Sequence, residues 1–448
     1  MTSQATTLPA RPRRRAPTDL PFSFAEGELA ERLATERGEP AWLREERLAA
    51  AAAFASLPVE ANQLYTPYID LRAAALEDAR PYLLDGPPAL GDDLRVLDGT
   101  LPAGVRVETM SEWLDRDPDG FRAALEGGPT LPVDDKLAQV ARGFWSHGRH
   151  VDVAAGVTAE QPIALRWPAA EAGRALITRT FVTLGDGASA SIVEELVPGV
   201  RSEEPQDGET VPQGFFHGTT EAILGAGASL AFASIQEFGA GQIAFQHRHA
   251  RVGEGASMQW ALAQLGGRLV RSRVDNRLEG DRSSVEQVEI VFGGGEQLFD
   301  LTSYTRHVGR DTTGNLLSKG ALLDRARSFM KGLITIEKSA VGTDSFLGEF
   351  GMNLAKATRA VAIPSLEIDQ PDCRRVAHAS SVGPIDPTQL FYLESRGIDP
   401  DEARKFIVLG FLEPVVARVP LESARERLRE LLEAKWSSGA GTEASAAA

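Results

Sequence analysis

Two imidazoles in His247-Arg-His249 are the first candidates for chemistry in this chain. On a strand, residues i and i+2 share a face, so the pair can chelate a metal. The plainer expectation is a solvated or hydrogen-bonded pair on a strand wall. His147 and His150 sit in Gly143-Phe-Trp-Ser-His-Gly-Arg-His150 with no acidic cluster beside them in sequence, and read as local structure. Cys373 is the one cysteine, which excludes an internal disulfide and a cysteine-rich metal site within the chain and fits a reducing cytosol. Machinery for nucleophilic catalysis is not legible, since Gly187-Ala-Ser-Ala-Ser191 fails the Gly-x-Ser-x-Gly elbow. No Gly-x4-Gly-Lys-Ser/Thr phosphate loop occurs either.

One glycine phrase resembles a dinucleotide loop, and its repetition argues against that use. It reads Leu184-Gly-Asp-Gly-Ala-Ser189, Leu224-Gly-Ala-Gly-Ala-Ser229 and Val252-Gly-Glu-Gly-Ala-Ser257, with a looser Leu278-Glu-Gly-Asp-Arg-Ser283. The third glycine of the dinucleotide fingerprint is missing, because Ala190, Leu230 and Met258 stand there. Gly239-Ala-Gly-Gln-Ile-Ala244 comes closer, but no helix follows it. The copies start 40, 28 and 26 residues apart. Recurrence at roughly 20–50 residues signals a stacked-repeat architecture.

The elements around the phrase agree. From about residue 151 to 370, β-branched and aromatic residues alternate with small polar ones, as in Ala175-Leu-Ile-Thr-Arg-Thr-Phe-Val-Thr-Leu184, and each run ends in a glycine turn. This predicts a mainly β protein with a β-helix core, a sandwich or barrel being the alternative. Residues 21–150 form an α-rich region. Within it Pro40–Leu57 reads as a helix with Leu43, Ala50, Phe54 and Leu57 on one stripe, and Ser111–Leu125 as helical stretches. Residues 371–436 read as a helical region. Asp386-Pro-Thr-Gln389 and Asp399-Pro-Asp-Glu402 are capping boxes, Gly397 ends the first helix, and Pro400–Leu412 and Leu421–Trp436 follow. Residues 1–20 and 437–448 have the composition of disordered ends.

Composition bounds the class. The 448 residues allow about two to four domains. A net charge of −16 disfavours nucleic acid and anionic membrane surfaces as main partners. No apolar run is long enough for a transmembrane helix, and no apolar stretch follows the basic residues Arg11 and Arg13–Arg15 as a secretory signal would require. The expectation is a cytoplasmic protein.

The stretch from Pro364 to Phe411 carries a family resemblance. It contains Pro364-Ser-Leu-Glu-Ile368, Ala377-His-Ala-Ser-Ser-Val-Gly383, Gln389-Leu-Phe-Tyr-Leu-Glu-Ser-Arg-Gly-Ile398, Glu402-Ala-Arg404 and Gly410-Phe411. With Glu39-Pro-Ala-Trp-Leu-Arg-Glu-Glu-Arg-Leu48 and Phe54-Ala-Ser-Leu-Pro58, it resembles the SufB/SufD family of iron–sulfur cluster assembly proteins, on its SufD side, over roughly residues 36–415. The resemblance implies a right-handed parallel β-helix core flanked by N-terminal and C-terminal α-helical regions. It implies a scaffold rather than an enzyme, with no tightly bound cofactor and a transient iron–sulfur cluster shared with a SufB partner. SufB would pair through the β-helix edge, the SufC ATPase would dock on the C-terminal helices, and the chain alone would self-pair as a homodimer. His378 matches the family histidine of a Ser-His-Gly-Ala-Thr stretch, and a neutral imidazole is a competent iron ligand. Many relatives place a cysteine two residues before that histidine. Val376 stands there in this chain, and Cys373, five before, is the displaced candidate ligand. Phe391, Tyr392, Phe406, Ile407 and Phe411 are more apolar surface than three short helices can bury among themselves, so some would cap the β-helix and some would meet the ATPase. The competing class is a β-helix enzyme acting on a carbohydrate or other polymer, which convergent carboxylates on one wall would favour.

Overall fold

The computed structural model describes residues 27–58, 79–83, 101–126, 135–199 and 213–443. The expectation of disorder at residues 1–20 lies outside these. The N-terminal part comprises helices α1 (Gly27–Glu36) and α2 (Ala41–Ser56), the short strands β1 (Arg80–Pro81) and β2 (Val105–Thr109), and helices α3 (Met110–Arg116), α4 (Pro118–Glu126) and α5 (Lys136–Phe144). Ser111–Leu125 is thus two helices, parted at Asp117. The hydroxyl of Thr109 caps α3 in a full capping box with Glu112.

Sixteen strands then wind a solenoid. They are β3 (His147–Val153), β4 (Ile163–Pro168), β5 (Arg174–Leu184), β6 (Ser189–Val197), β7 (Gly214–Leu224), β8 (Ser229–Gln236), β9 (Gln242–Val252) and β10 (Ser257–Gln264) in the first half. The second half holds β11 (Leu269–Leu278), β12 (Ser284–Gly293), β13 (Leu298–His307), β14 (Thr313–Leu322), β15 (Arg327–Ile336), β16 (Asp344–Asn353), β17 (Arg359–Ile368) and β18 (Arg375–Gly383). Odd-numbered strands pair in parallel in one sheet and even-numbered strands in the other, each with its neighbour one coil away. The eight strands of the even sheet mark eight coils. At the first end β2 lies antiparallel on β3, Val105 opposite Val153, and breaks the parallel pattern.

The repeated phrase is the corner of each coil. Gly187, Gly227 and Gly255 have φ of +67°, +65° and +62°, the left-handed conformation that glycine takes without steric cost. The corners stack: the N–H of Gly187 donates to the Ala226 carbonyl, Gly227 to Glu254, Gly255 to Asp281, Arg282 to Arg310, Asp311 to Val341 and Gly342 to Asp372. Arg282 and Asp311 hold the same positive φ without being glycine, so the looser fourth copy is a true corner. The 40-residue first gap contains the stretch 200–212 between β6 and β7, outside the described residues.

Apolar side chains fill the solenoid: Val182, Leu184, Ile192, Phe232, Trp260, Leu278 and Val285 form one cluster between the sheets. Several polar groups in this interior are paired. Arg248 donates to Glu194 at 2.8 Å, and Asn276 links Trp260, Gln287 and Thr305 at 2.9–3.2 Å. The outer face of the odd sheet lies under the N-terminal helices, where Leu43, Phe54 and Phe144 cluster with Ile177, Phe181, Phe215 and Phe245. The outer face of the even sheet lies under the C-terminal helices α7 (Pro400–Val416) and α8 (Glu422–Glu443), and α6 (Pro387–Ser395) packs on α7. Asp386 and Asp399 cap α6 and α7, each accepting from the second following N–H, and Gly397 has φ of +84° after α6. Both boundaries at this end differ from expectation. The solenoid runs past residue 370, because Arg375–Gly383 forms β18, and α8 extends beyond Ser437.

Candidate functional site

The coil stacking stops at β17 and β18, and no described strand follows on either sheet. His378 lies in the middle of β18 with its Cα opposite Leu347 of β16. It is exposed and makes no hydrogen bond with any described residue. Cys373 sits in the corner before β18, half-buried against the small apolar cluster of Leu316, Ile334 and Leu347. Its thiol donates to the Gln370 carbonyl at 3.1 Å. Burial, and then the Asp372 carboxylate, push this thiol above its usual range. His378 lies three residues inside the strand, about 10 Å from its start at some 3.3 Å per residue. The two sequence-derived candidates are therefore not brought together.

A group that the sequence did not single out sits below His378. Glu349 of β16 pairs in register with Ser380, two residues on from His378, and points into the same interior. Its Oε2 accepts the Ile363 N–H of β17 at 2.7 Å. A Cβ on Gly332 would fall 2.9 Å from Oε1, so glycine leaves the space the carboxyl occupies. Burial raises this carboxyl to about 7. Only the pairing register reveals it, since Glu349 is 29 residues from His378 in the chain.

Apolar exposure gathers at the same end. Ile368 and Val382, 48% and 39% exposed, rim the last coil, and Phe391, Tyr392 and Phe406, 70%, 56% and 56% exposed, stand on α6 and α7. These are all the large apolar side chains left exposed among the described residues. Ile407 and Phe411 are partly buried, while Val408, Leu412 and Val415 pack fully against the even sheet. The C-terminal helices thus cover the sheet with one set of residues and leave another set free.

The His247/His249 pair requires a correction. The two side chains share a face, but that face is buried beneath the start of α5 and neither solvated nor hydrogen-bonded. His217 of β7 joins them, its ring 5.4 Å from that of His247, which is 6.0 Å from His249. Neither ring nitrogen of the three has a hydrogen-bond partner among the described residues, although His249 Nδ1 lies 3.4 Å from Asp275 Oδ2. Burial pushes His217 down to about 4 and His247 well below its usual value, against the opposing pull of Asp135. Register sets Thr219 beside His247 and Glu221 beside His249, so the imidazoles run in a row and do not converge. Among the described residues, no three His, Cys, Asp or Glu side chains are placed to hold a metal ion. His150 does have an acidic partner, brought by β2 from far along the chain: its Nδ1 lies 3.0 Å from Glu108, and its ring stacks on Trp113 at 3.6 Å. A cavity of about 360 Å³ opens beside it, where Arg106 and Arg116 already face Asp152 and Glu108.

Comparison with known proteins agrees with this geometry. The family model for the SUF system FeS cluster assembly SufBD core domain matches residues 167–411, from the end of β4 into α7. The iron–sulfur cluster assembly protein SufD of Bacillus subtilis is 29% identical over 307 residues, 68% of each chain. A SufBD family protein of Mycobacterium tuberculosis is 30% identical over 227 residues, 49% of this chain and 57% of that protein. One from Mycobacterium leprae is 25% identical over 302 residues, only 34% of its own length. The match covers more than half of this chain and includes the corner ladder, the open end and His378, so the chain belongs to the SufB/SufD family of iron–sulfur cluster assembly proteins.

Proposed function

We propose that this chain is the SufD-type scaffold subunit of an iron–sulfur cluster assembly complex in the cytosol. Its open solenoid end would pair with a SufB-type chain, and α6 and α7 would dock a SufC-type ATPase. The observation that carries this reading is the unfinished last coil. A solenoid normally needs a polar cap on its terminal repeat, and here Ile368 and Val382 remain exposed on it. Phe391, Tyr392 and Phe406 give a second, separate apolar surface for the ATPase. In this reading the nascent cluster is cargo. His378 would offer one neutral nitrogen donor to iron at the seam, with the remaining ligands coming from the partner. Cys373 is the weaker candidate, because it packs half-buried against an apolar cluster in the corner, whereas His378 is exposed on the edge strand. Alone, the same edge would pair with a second copy. A polymer-cleaving enzyme is disfavoured, because helices lie on the outer faces of both sheets and the interior acids Glu194 and Glu289 are hydrogen-bonded inside the core.

Co-expression with the SufB-type and SufC-type chains of the same organism tests the reading, with His378→Ala beside the wild type and iron quantified after anaerobic assembly. Complex formation by both, with cluster yield reduced at least several-fold in the variant, is the expected result. Unchanged yield would make His378 structural. Failure of the wild type to form any complex would overturn the assignment of partners.

A further inference from the structure

The inner face of the last coil holds an acid below the exposed histidine. In β16 the odd-numbered residues point into the solenoid: Leu347 packs in an interior cluster, and a Cβ on Gly351 would meet Ala360 and Val382. Register carries that face onto β18, so Val376, His378, Ser380 and Val382 share it. His378 stands over Leu347, with Ser345 and Glu349 as its diagonal neighbours. Diagonal pairs on adjacent strands lie roughly 7–8 Å apart, within reach of long side chains. Ser345 is committed elsewhere, its Oγ lying 3.0 Å from His307 Nε2 and donating to the Gly314 carbonyl at 3.1 Å. Across the lumen β17 presents Ala362, Pro364 and Leu366, none with a polar side chain. Glu349 differs. It is rooted in β16, one coil below His378, yet its Oε2 accepts the Ile363 N–H of β17 at 2.7 Å, which draws the carboxyl up into the last coil. Its Oε1 faces the space that Gly332 leaves.

We infer that Glu349 is a positioning residue for His378: once a partner covers the open end, its carboxylate accepts one imidazole N–H and leaves the other ring nitrogen bare toward iron. This rests on the reading of His378 as a donor at the seam, and adds the group that sets its tautomer. In the free chain the imidazole is exposed, and solvent serves both ring nitrogens. Covering the end removes that solvent, so the N–H must find an acceptor in the protein. An imidazole that binds metal through one nitrogen ordinarily donates its other N–H to a carboxylate or a carbonyl, which fixes tautomer and ring orientation. On this face Ser380 offers a hydroxyl, which donates as readily as it accepts. The carboxylate only accepts, and its charge-assisted bond is the stronger one. The bond to Ile363 holds the carboxyl in place before the imidazole turns inward.

Glu349→Gln tests this. The carboxamide oxygen still accepts the Ile363 N–H, so the link between β16 and β17 survives, but the group turned toward His378 becomes a donor. The complex with the SufB-type chain is prepared without iron, with this chain's histidines carrying nitrogen-15, and solid-state NMR reads the tautomer of each ring. The His378 signal is identified by its loss in His378→Ala. Wild type should show a single tautomer at His378, and Glu349→Gln should show the proton on the other nitrogen. Iron retained after anaerobic assembly should fall at least 10-fold in Glu349→Gln, while affinity for the SufB-type chain changes by less than 3-fold. A mixture of tautomers at His378 in the wild-type complex would overturn the inference without any variant. An unchanged tautomer and iron content in Glu349→Gln would also overturn it, and make Glu349 a tie between two strands. Unchanged iron content in His378→Ala would remove the donor reading, and absence of a wild-type complex would remove the partnership; either takes the inference with it.

Discussion

The two covered walls of the solenoid are held by different forces. Under α7, the even sheet presents Val193, Ala233, Ile235, Ala261, Val288 and Ile290 to Val408, Leu412 and Val415, an apolar seam with no buried charge pair. Under the N-terminal helices, the odd sheet presents apolar residues at its edge but a polar centre. Arg179 pairs with Glu221 at 2.6 Å, Arg273 pairs with Asp275 and with Asp135 at the cap of α5, and the three imidazoles lie among them. Arg47 of α2, fully buried, binds Glu39 at 2.6 Å and the carbonyls of Gly143 and Trp145. The apolar seam takes in only single ammonium groups at its margin, Lys319 on the Phe411 carbonyl and Lys435 on the Leu265 carbonyl. The polar one depends on every partner being present in the correct charge state.

The largest test of that contrast is Arg47→Ala, which leaves Glu39 buried without a cation. It should cost about 3–5 kcal/mol in urea denaturation at neutral pH. Leu412→Ala on the other wall should cost about 3 kcal/mol. Its increment should be the same at pH 5 and pH 8; a pH-dependent increment would break the comparison. Acid should act on the polar wall. A histidine whose folded value is lowered contributes stability in full above its unfolded value near 6.5, and this is lost as pH falls toward the folded value. For His217, at about 4, the loss at pH 5 is about 2 kcal/mol. Thermal melts between pH 7 and pH 5 should show a falling midpoint, and His217→Gln should flatten the slope. The smallest effect belongs to residues on neither seam: Phe406→Ser should change stability by less than about 0.5 kcal/mol while weakening capture of a SufC-type ATPase. A large stability loss there would mean that Phe406 is a packing residue.

The corner ladder was legible because stacking imposes one conformation at each coil, and glycine answers it repeatedly at Gly187, Gly227 and Gly255. The copies at Arg282 and Asp311 were harder to see, because neighbouring corners hold a non-glycine residue at positive φ through the same carbonyl bond. β18 is not legible in the sequence for a physical reason. With one edge free and its faces largely exposed, Ala377-His-Ala-Ser-Ser381 lacks the apolar alternation that marks the inner strands. The Asp386 and Asp399 caps were readable locally. The buried row of histidines was not, because its surroundings come from Asp135, His217 and Asp275, which only strand register and helix packing bring beside His247. Glu39 and Arg47 stand in a phrase that carries the family resemblance, but the phrase does not reveal that they pair and clasp α2 to the start of the solenoid.

The short antiparallel β2 at the first end limits how the odd sheet can grow. Parallel coils can in principle add without limit, as they do in fibres. Here one terminus of the odd sheet is closed by five residues running the wrong way for another coil, while the far terminus is left ready. The odd sheet therefore cannot be continued at this end by another coil of the same parallel winding.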